Sequence, residues 1–273
     1  MSVSLVGSAT TVSPFVSGTG VSYAAGAGSN RVVLLILMHS SSSGDGVPMG
    51  TGIQPTYNGV NMLSAISFVT SGVARYQCGS AWICKEANIP GSAQTINATW
   101  SNASNNLNEA DGLALVATFS GVDQTTPVSS NATGSVDSDT TITCGAVATT
   151  NGGMAVYGLS YNASTGTGTT LPSGYTTDMS ITPFDFSGFG AAGHKSVSAG
   201  SDSPAASWTG AGGAIIMGLN LKAFVANTRH DNLTTFGVSL APLAWVINRR
   251  NKLRAQFSQD KRSRLFLPRK VLS

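Results

Sequence analysis

Short apolar or alternating segments, separated by clusters of Gly, Ser, Thr, Asn and Asp, fill the first 228 residues, and this pattern constrains the fold most strongly. Residues 32–38 are apolar throughout, as expected of a central strand that is buried on both faces. The sequence Tyr57-Asn-Gly-Val60 contains the Asn-Gly pair typical of a hairpin turn. Helical periodicity is almost absent here, so we predict an all-β fold, built as an antiparallel, jelly-roll-like β-sandwich.

Further strands are predicted from alternation or from apolar runs at 63–69, 75–86, 94–100, 113–119, 140–146, 154–161, 175–181, 205–208 and 214–224. Turn clusters are predicted between strands at 40–46, 101–106, 129–138 and 165–170. Only 10% of the residues are charged, and 32 are glycine. Polarity that comes from Ser, Thr and Asn suits short strands and tight turns, and an apolar fraction of 41% is sufficient for a core.

Charge divides the chain into two parts. Residues 1–228 contain five Lys or Arg and ten Asp or Glu, for a formal charge of −5. Residues 229–273 contain ten Lys or Arg and two Asp, for a formal charge of +8. We therefore predict a β-sandwich body over 1–228 and a basic C-terminal anchoring arm over 229–273.

The arm has the periodicity that the body lacks. Apolar residues recur at helical spacing after Pro242, which predicts an amphipathic helix over about 242–257, followed by an extended apolar-basic terminus over 265–272. A lone helix of this length is marginal in water, so its apolar stripe needs a partner. The residues predicted to bind that partner are Leu243, Val246, Ile247, Arg249, Arg250, Leu253, Arg254, Phe257, Leu265, Phe266, Arg269 and Lys270.

Two kinds of partner suit the arm. It could neutralise the phosphates of a nucleic acid, or it could dock on an acidic neighbouring protein and bury its apolar stripe. The Leu, Val, Ile and Phe residues among the basic ones favour docking on protein. A solvated helix face is a third interpretation.

No residue pattern indicates catalysis or metal binding. The chain has three histidines, and it has neither a Gly-x-Ser-x-Gly nor a His-Glu-x-x-His motif. His39 ends an apolar strand and is predicted to lie at its rim. Cys78, Cys84 and Cys144 are odd in number and lack metal spacing, so we predict buried free thiols. We expect a non-enzyme with no catalytic, cofactor-binding or metal-binding residues.

Two pairs of carboxylates are spaced two residues apart, Glu109 with Asp111 and Asp137 with Asp139. In a loop such a pair could help to hold Ca²⁺. We interpret both pairs as turn chemistry instead, because Asp in a Ser- and Thr-rich loop bonds its own backbone.

Targeting signals are not found in the sequence. The first residues lack the basic region and the long apolar core of a secretory signal. The longest apolar run, residues 32–38, is far shorter than a membrane span. We expect a soluble protein that is synthesised in a cytoplasm.

Five aromatic residues are candidates for a sugar-binding platform. Trp82, Trp100 and Trp208 lie on predicted strands, where aromatic side chains usually belong to the core. Tyr161 and Tyr175 flank a Gly- and Thr-rich loop and are predicted to be exposed. We therefore take Tyr161 and Tyr175 as the candidate glycan contacts.

The segment Phe119-Ser-Gly-Val-Asp-Gln-Thr-Thr-Pro-Val128 resembles a widespread β-sandwich module of bacterial surface and phage proteins, in which a strand ends in F-S-G-V-D-x-T-x-P. The resemblance covers roughly residues 20–224 and extends, in the same order, to segments 30–37, 57–60, 81–84 and 213–223. It implies a jelly-roll or lectin-like sandwich with a structural or adhesive role and no shared active site. The basic arm and the absence of a signal peptide distinguish this chain from secreted relatives.

These features predict a phage virion structural protein: a capsid decoration, a fibre-like subunit or a tail component. The arm would anchor it to other virion proteins, and the subunits would form a homo-oligomer. The alternative is a carbohydrate-binding adhesin that contacts host-surface glycans through Tyr161 and Tyr175. A sandwich hydrolase acting on envelope sugars is a third interpretation, and it needs a carboxylate pair in a cleft.

Overall fold

The computed structural model describes residues 1–15, 18–41, 53–70, 76–99, 112–162, 168–183 and 188–226. The chain divides into two compact units, Met1–Ala226 and Asn227–Ser273, and all the described residues belong to the first. The predicted helix over about 242–257, and the arm residues predicted to bind a partner, lie outside the described residues.

The prediction of an all-β, antiparallel fold is confirmed, and the described residues contain strands and one short 3₁₀ turn, Glu86–Asn88. The strands are β1 (Ser4–Leu5), β2 (Thr10–Phe15), β3 (Val21–Tyr23), β4 (Val32–Ser41), β5 (Thr56–Tyr57), β6 (Val60–Asn61), β7 (Leu63–Thr70), β8 (Tyr76–Lys85), β9 (Gln94–Asn97), β10 (Gly112–Ser120), β11 (Val128–Thr143), β12 (Val147–Thr149), β13 (Gly153–Asn162), β14 (Thr176–Pro183), β15 (Gly188–Val197), β16 (Gly200–Asp202) and β17 (Ala205–Leu221).

The described strands form two large sheets and two small ones. Sheet I has the order β1-β10-β4-β8-β7, and β2 also pairs with β10. Sheet II has the order β11-β17-β13-β15-β14. The small sheets are β3-β9-β5-β6 and β12-β16. In β5 and β6 the predicted hairpin is confirmed, since Asn58 and Gly59 have φ values of 53° and 71°.

Strand β4 is buried on both faces, as its unbroken apolar run predicts. Its even-numbered residues, such as Leu34 and Ile36, pack in the core shared with sheet II. Its odd-numbered residues, such as Val33 and Leu35, pack in a second core against the β3-β9-β5-β6 sheet. Because side chains alternate across a strand, a middle layer needs apolar residues at every position.

The C-terminal half of β11 and the N-terminal half of β17 fold back and cover the outer face of sheet II. Gly134 in β11 lies so close to Thr143 of the same strand that a Cβ would collide with the Thr143 carbonyl oxygen. This fold-back creates a third core, whose members include Ile142, Cys144, Tyr157, Leu159, Tyr161 and Trp208.

Two predictions about strands are wrong. The turn cluster predicted at 129–138 lies within β11, a long edge strand whose residues alternate between half-buried and exposed. Because one edge and one face of that strand are exposed to solvent, polar Ser, Thr and Asn residues can occupy its exposed positions. Strand β15 was not predicted, because its Gly and Ala residues lack β propensity. Packing favours those small residues, since a Cβ at Gly193 would lie 2.5 Å from the Thr176 carbonyl oxygen and a Cβ at Gly190 would overlap Leu113 Cδ2 of sheet I.

The body has two different ends. Gly112 pairs with His39, Ser41 with Tyr76 and Asn162 with Gly188, so these strand termini share one end, the loop end. Segments 42–52, 71–75, 100–111, 163–167 and 184–187 each join a strand terminus there. At the opposite end, the exit end, the last described residues follow β17 to Ala226.

Candidate functional site

The segment 119–128 crosses from sheet I to sheet II at the exit end, and backbone bonds hold it there. Gly121 N and Val122 N donate to Ser29 O and Asn30 O, at 3.0 and 2.9 Å. Gly121 has a φ of 72°, which favours glycine. Lys222 O accepts from Asp123 N at 2.9 Å, and Phe224 N donates to Gly121 O at 2.7 Å. The crossover thus fastens the end of β17 to the start of β4.

The polar side chains of this crossover bond within the body. Asp123 Oδ1 accepts the backbone N–H groups of Thr125 and Thr126, at 2.8 and 3.1 Å. Lys222 Nζ lies 2.9 Å from Asp123 Oδ2, and its hydrogen bond holds the pKa of that carboxyl below its usual range. Gln124 Oε1 accepts from Glu86 N at 2.9 Å, and Gln124 Nε2 donates to the Arg31 carbonyl at 3.1 Å. The residues of the motif therefore have structural roles here.

Arg31 and Glu86 complete the same network. Arg31 donates from Nη2 to Glu86 Oε1 at 2.7 Å, and Arg31 N donates to Glu86 Oε2 at 2.6 Å. These hydrogen bonds lower the pKa of Glu86 and raise that of Arg31. The pair joins the start of β4 to the 3₁₀ turn after β8.

The prediction that His39 lies at a strand rim is wrong. His39 is only 1% exposed, because its side chain lies near the loop end close to Gly112 of β10, where β2 also pairs. Burial lowers the pKa of His39 to about 4, so the ring is neutral at pH 7.

The prediction of buried free cysteines is confirmed for Cys78, Cys84 and Cys144. Burial raises the pKa of Cys84 and of Cys144 to about 11. Both thiols are therefore protonated at neutral pH, and a thiol is a much weaker nucleophile than a thiolate.

Acidic residues form no metal site in the described part of the chain, where no cluster of three or more His, Cys, Asp or Glu side chains could hold an ion. Asp139 Oδ1 accepts the backbone N–H groups of Thr140 and Thr141, at 2.6 and 3.3 Å. This is the backbone bonding expected of Asp137 and Asp139, although it occurs on β11 and not in a loop. Glu109 and Asp111 lie outside the described residues.

The prediction that Tyr161 is exposed is wrong. Its side chain is fully buried in the core under the folded-back strands, where it stacks with Phe189 and packs beside Trp208. Its hydroxyl reaches Thr169 at 2.7 Å. Trp208 is buried and Trp82 is partly buried, as core residues should be, and Trp100 lies outside the described residues.

Tyr175 is half-buried and held from three sides. Its hydroxyl donates to Asp202, its ring makes a T-shaped contact with the Tyr157 ring, and Lys195 Nζ lies 4.5 Å from its ring centroid. Lys195 also binds Asp202 at 2.8 Å. Burial raises the pKa of Tyr175 and of Tyr157. A ring that is covered on one face by Lys195 and that also contacts the Tyr157 ring is a poor platform for a sugar.

His194 and Asp178 form a further hydrogen-bonded pair between β15 and β14, with Nδ1 and Oδ2 2.7 Å apart. Phe119 meets the His194 ring edge-on. The sequence does not predict the His194–Asp178 pair or the Tyr175 contacts. Their partners are brought together only by strand pairing in sheet II and by the strands that cover its outer face.

A concave feature of the described residues lies between β7 and β11, the edge strands of sheets I and II, and we call it the edge groove. Its wider part has a volume of about 560 Å³ and its narrower part about 280 Å³. Both parts include Ser64, Ala65 and Asn131. Asn131 Nδ2 donates to the Ala65 carbonyl at 2.9 Å and so bridges the two walls.

The two parts of the edge groove differ in chemistry. The wider part adds Ile66, Ser67, Ala132 and Thr133 to the shared residues. The narrower part adds Leu63, Ile83, Lys85, Pro127 and Val128. The groove is thus polar toward the middle of the strands, and it is apolar with one lysine toward the exit end. The sequence pattern does not reveal the groove, because three of the four β11 residues that line it, Asn131, Ala132 and Thr133, lie in the segment predicted as a turn.

Comparison of the chain with protein-family models, with curated proteins and with solved structures finds no match. Within the described ranges, no helix has the length and apolar character needed to cross a membrane.

Proposed function

We propose that this chain is a structural protein of a phage virion, as a capsid decoration, a fibre-like subunit or a tail component, in which a jelly-roll-like sandwich is anchored by the basic arm over 229–273. The observation that carries the proposal is the polarity of the body. The chain leaves the described body at the exit end, and the three longest connections between described strands, 42–55, 98–111 and 163–175, each join a strand terminus at the loop end. Such a body can be attached at one end and present the other.

The charge of the body supports the same role. Among described residues, Arg31, Lys195 and Lys222 each pair with a carboxylate of the body. The arm has a formal charge of +8 and interleaves apolar residues with its basic ones. The arm is therefore the more suitable part for binding other virion proteins, and nucleic acid is the less favoured partner.

Glycan binding through Tyr161 and Tyr175 is not part of the proposal. Tyr161 is buried, and Tyr175 is engaged by Asp202 and Lys195. A carbohydrate-binding adhesin would need other contacts.

The test compares the full chain with a variant truncated after Ala226, each tagged and produced in infected host cells. We expect the full chain to co-sediment with assembled particles and the truncated chain to remain in the soluble fraction with an unchanged β-sheet circular dichroism spectrum. Two arm variants separate the contributions: replacement of Leu243, Val246 and Leu253 by Ser, and replacement of Arg249, Arg250 and Arg254 by Gln. Incorporation of the truncated chain at the level of the full chain would refute the anchoring role.

A further inference from the structure

The two walls of the edge groove are strands with one unpaired edge. Strand β7 pairs only with β8, and β11 pairs only with β17, within the part of the chain that the structure describes. An unpaired edge presents backbone N–H and C=O groups that another extended chain can bond. Two described bonds engage single positions of these walls: Asn131 Nδ2 donates to the Ala65 carbonyl, and Gly145 N donates to the Thr133 carbonyl at 3.3 Å. The groove therefore offers an extended peptide both a channel and a hydrogen-bonding wall.

An apolar contact lies at the narrower part of the groove. Leu63 is 50% exposed, and the large hydrophobic side chains of the described body that are exposed to this degree are Met1, Leu63 and Val225. Leu63 pairs across the strands with Ile83, which is buried and lines the same part. An apolar side chain of a bound peptide would cover Leu63 and remove apolar surface from water.

Lys85 supplies the charge. Of the four described Lys and Arg residues, Lys85 alone forms no ion pair with a described residue, and it lies in the narrower part beside Ile83. Its ammonium group has three donors, and no carboxylate of the described residues forms an ion pair with it. A carboxylate on the bound chain would complement it.

We propose that the edge groove binds an extended segment of a partner polypeptide, which places an apolar side chain against Leu63 and a carboxylate beside Lys85. The two side chains would be two residues apart on the peptide, because alternate residues of a strand share a face. This interaction surface is separate from the arm, and it does not depend on where the arm attaches.

The experiment measures binding of fluorescein-labelled peptides to the full chain by fluorescence anisotropy. The probes are Thr-Thr-Leu-Thr-Glu-Thr-Thr and its reversed order, so that both strand directions are sampled. Matched peptides carry Lys in place of Glu, or Ser in place of Leu. We expect one of the two Glu probes to bind, with affinity that falls about threefold to tenfold for its Lys counterpart.

Charge reversal on the protein gives the decisive comparison. Lys85→Glu should weaken binding of the Glu probe and strengthen that of the Lys probe, and Leu63→Ser should weaken both. The control is Val225→Ser, which removes another exposed hydrophobic side chain outside the groove and should change neither affinity. Thermal melting of each variant verifies that it is folded, since neither Leu63 nor Lys85 belongs to the buried core.

Three results would overturn the proposal. The first is the absence of binding by either Glu probe to the wild-type chain. The second is binding that Lys85→Glu and Leu63→Ser leave unchanged. The third is self-association in sedimentation velocity that Leu63→Ser abolishes, because a second copy of the chain would then be the occupant.

Discussion

Adding one methyl group at each of two glycines would distinguish two kinds of close packing in this fold. A Cβ at Gly79 in β8 would lie 2.5 Å from Ile215 Cδ1 and 2.6 Å from Met217 Cε, both side-chain ends from sheet II. A Cβ at Gly134 in β11 would collide with the backbone carbonyl oxygen of Thr143. Gly79 is buried and Gly134 only half-buried, so burial alone predicts that Gly79→Ala is the more harmful change.

The structure predicts the opposite order. The ends of Ile215 and Met217 can change rotamer, and overpacking of a core costs about 1–3 kcal/mol. Alanine in place of glycine within a strand recovers about 0.5–1 kcal/mol. We therefore expect Gly79→Ala to lower the free energy of unfolding by about 1 kcal/mol.

In Gly134→Ala, a change of rotamer cannot relieve the steric clash. The Thr143 carbonyl moves only with its backbone, and that movement would displace the neighbouring Ile142 and Cys144 from the core over sheet II. Loss of packing at a single residue of the size of Ile142 costs about 2–5 kcal/mol. We expect Gly134→Ala to lower the free energy of unfolding by about 3 kcal/mol or more.

Urea denaturation followed by tryptophan fluorescence and circular dichroism would measure both variants. Because 1 kcal/mol corresponds to a Tm change of about 2–4 °C for a domain of this size, the two should also separate in thermal melts. Gly91→Ala is the matched control, because no atom lies within 4 Å of a Cβ at that position. A Gly134→Ala protein as stable as Gly79→Ala, or more stable, would refute the fold-back argument.

Three further predictions follow from buried side chains. Because the folded-state pKa of His39, about 4, is below its ordinary value, the unfolded chain binds the proton more readily. The free energy of unfolding should therefore fall by up to about 3 kcal/mol as the pH is lowered from about 6.5 to about 4. In His39→Gln, the free energy of unfolding measured by urea denaturation should depend less on pH over that range. An equal pH dependence in the variant and the wild type would show that His39 is not its source. Cys84 and Cys144, whose pKa values are about 11, should not react with a disulfide reagent at neutral pH until urea unfolds the chain, and rapid labelling of native protein would contradict their burial. Tyr161→Ala should lower the free energy of unfolding by about 3–5 kcal/mol in urea melts, whereas an exposed glycan contact would change it by less than about 0.5 kcal/mol.

Some parts of the fold were predictable because their signals are local. The run 32–38 has an apolar residue at every position, as a strand buried on both faces requires, and β4 is such a strand. Asn58 and Gly59 adopt the positive φ values that an Asn-Gly hairpin turn needs. The free thiols of Cys78, Cys84 and Cys144 followed from their number and spacing.

Other parts depend on neighbours that are distant in sequence. The polar residues of 129–138 suit a turn as well as a strand, and only pairing with β17 decides for β11. Strand β15 is rich in Gly and Ala because Leu113 of sheet I approaches its backbone, a constraint that its own sequence does not express. Tyr161 is buried because β11 and β17 fold back over it.

The sequence by itself determined the class of the fold, its central strand, the Asn58-Gly59 hairpin turn and the division between a weakly charged body and a basic arm, because periodicity, turn chemistry and charge are properties of neighbouring residues. Tertiary structure alone decided the layering of the sheets, the internal role of the 119–128 crossover and the position of the edge groove. Each of these joins residues that are far apart in the chain. Lys85 and Val128, for example, share the edge groove only because sheets I and II stack with β7 and β11 on the same side.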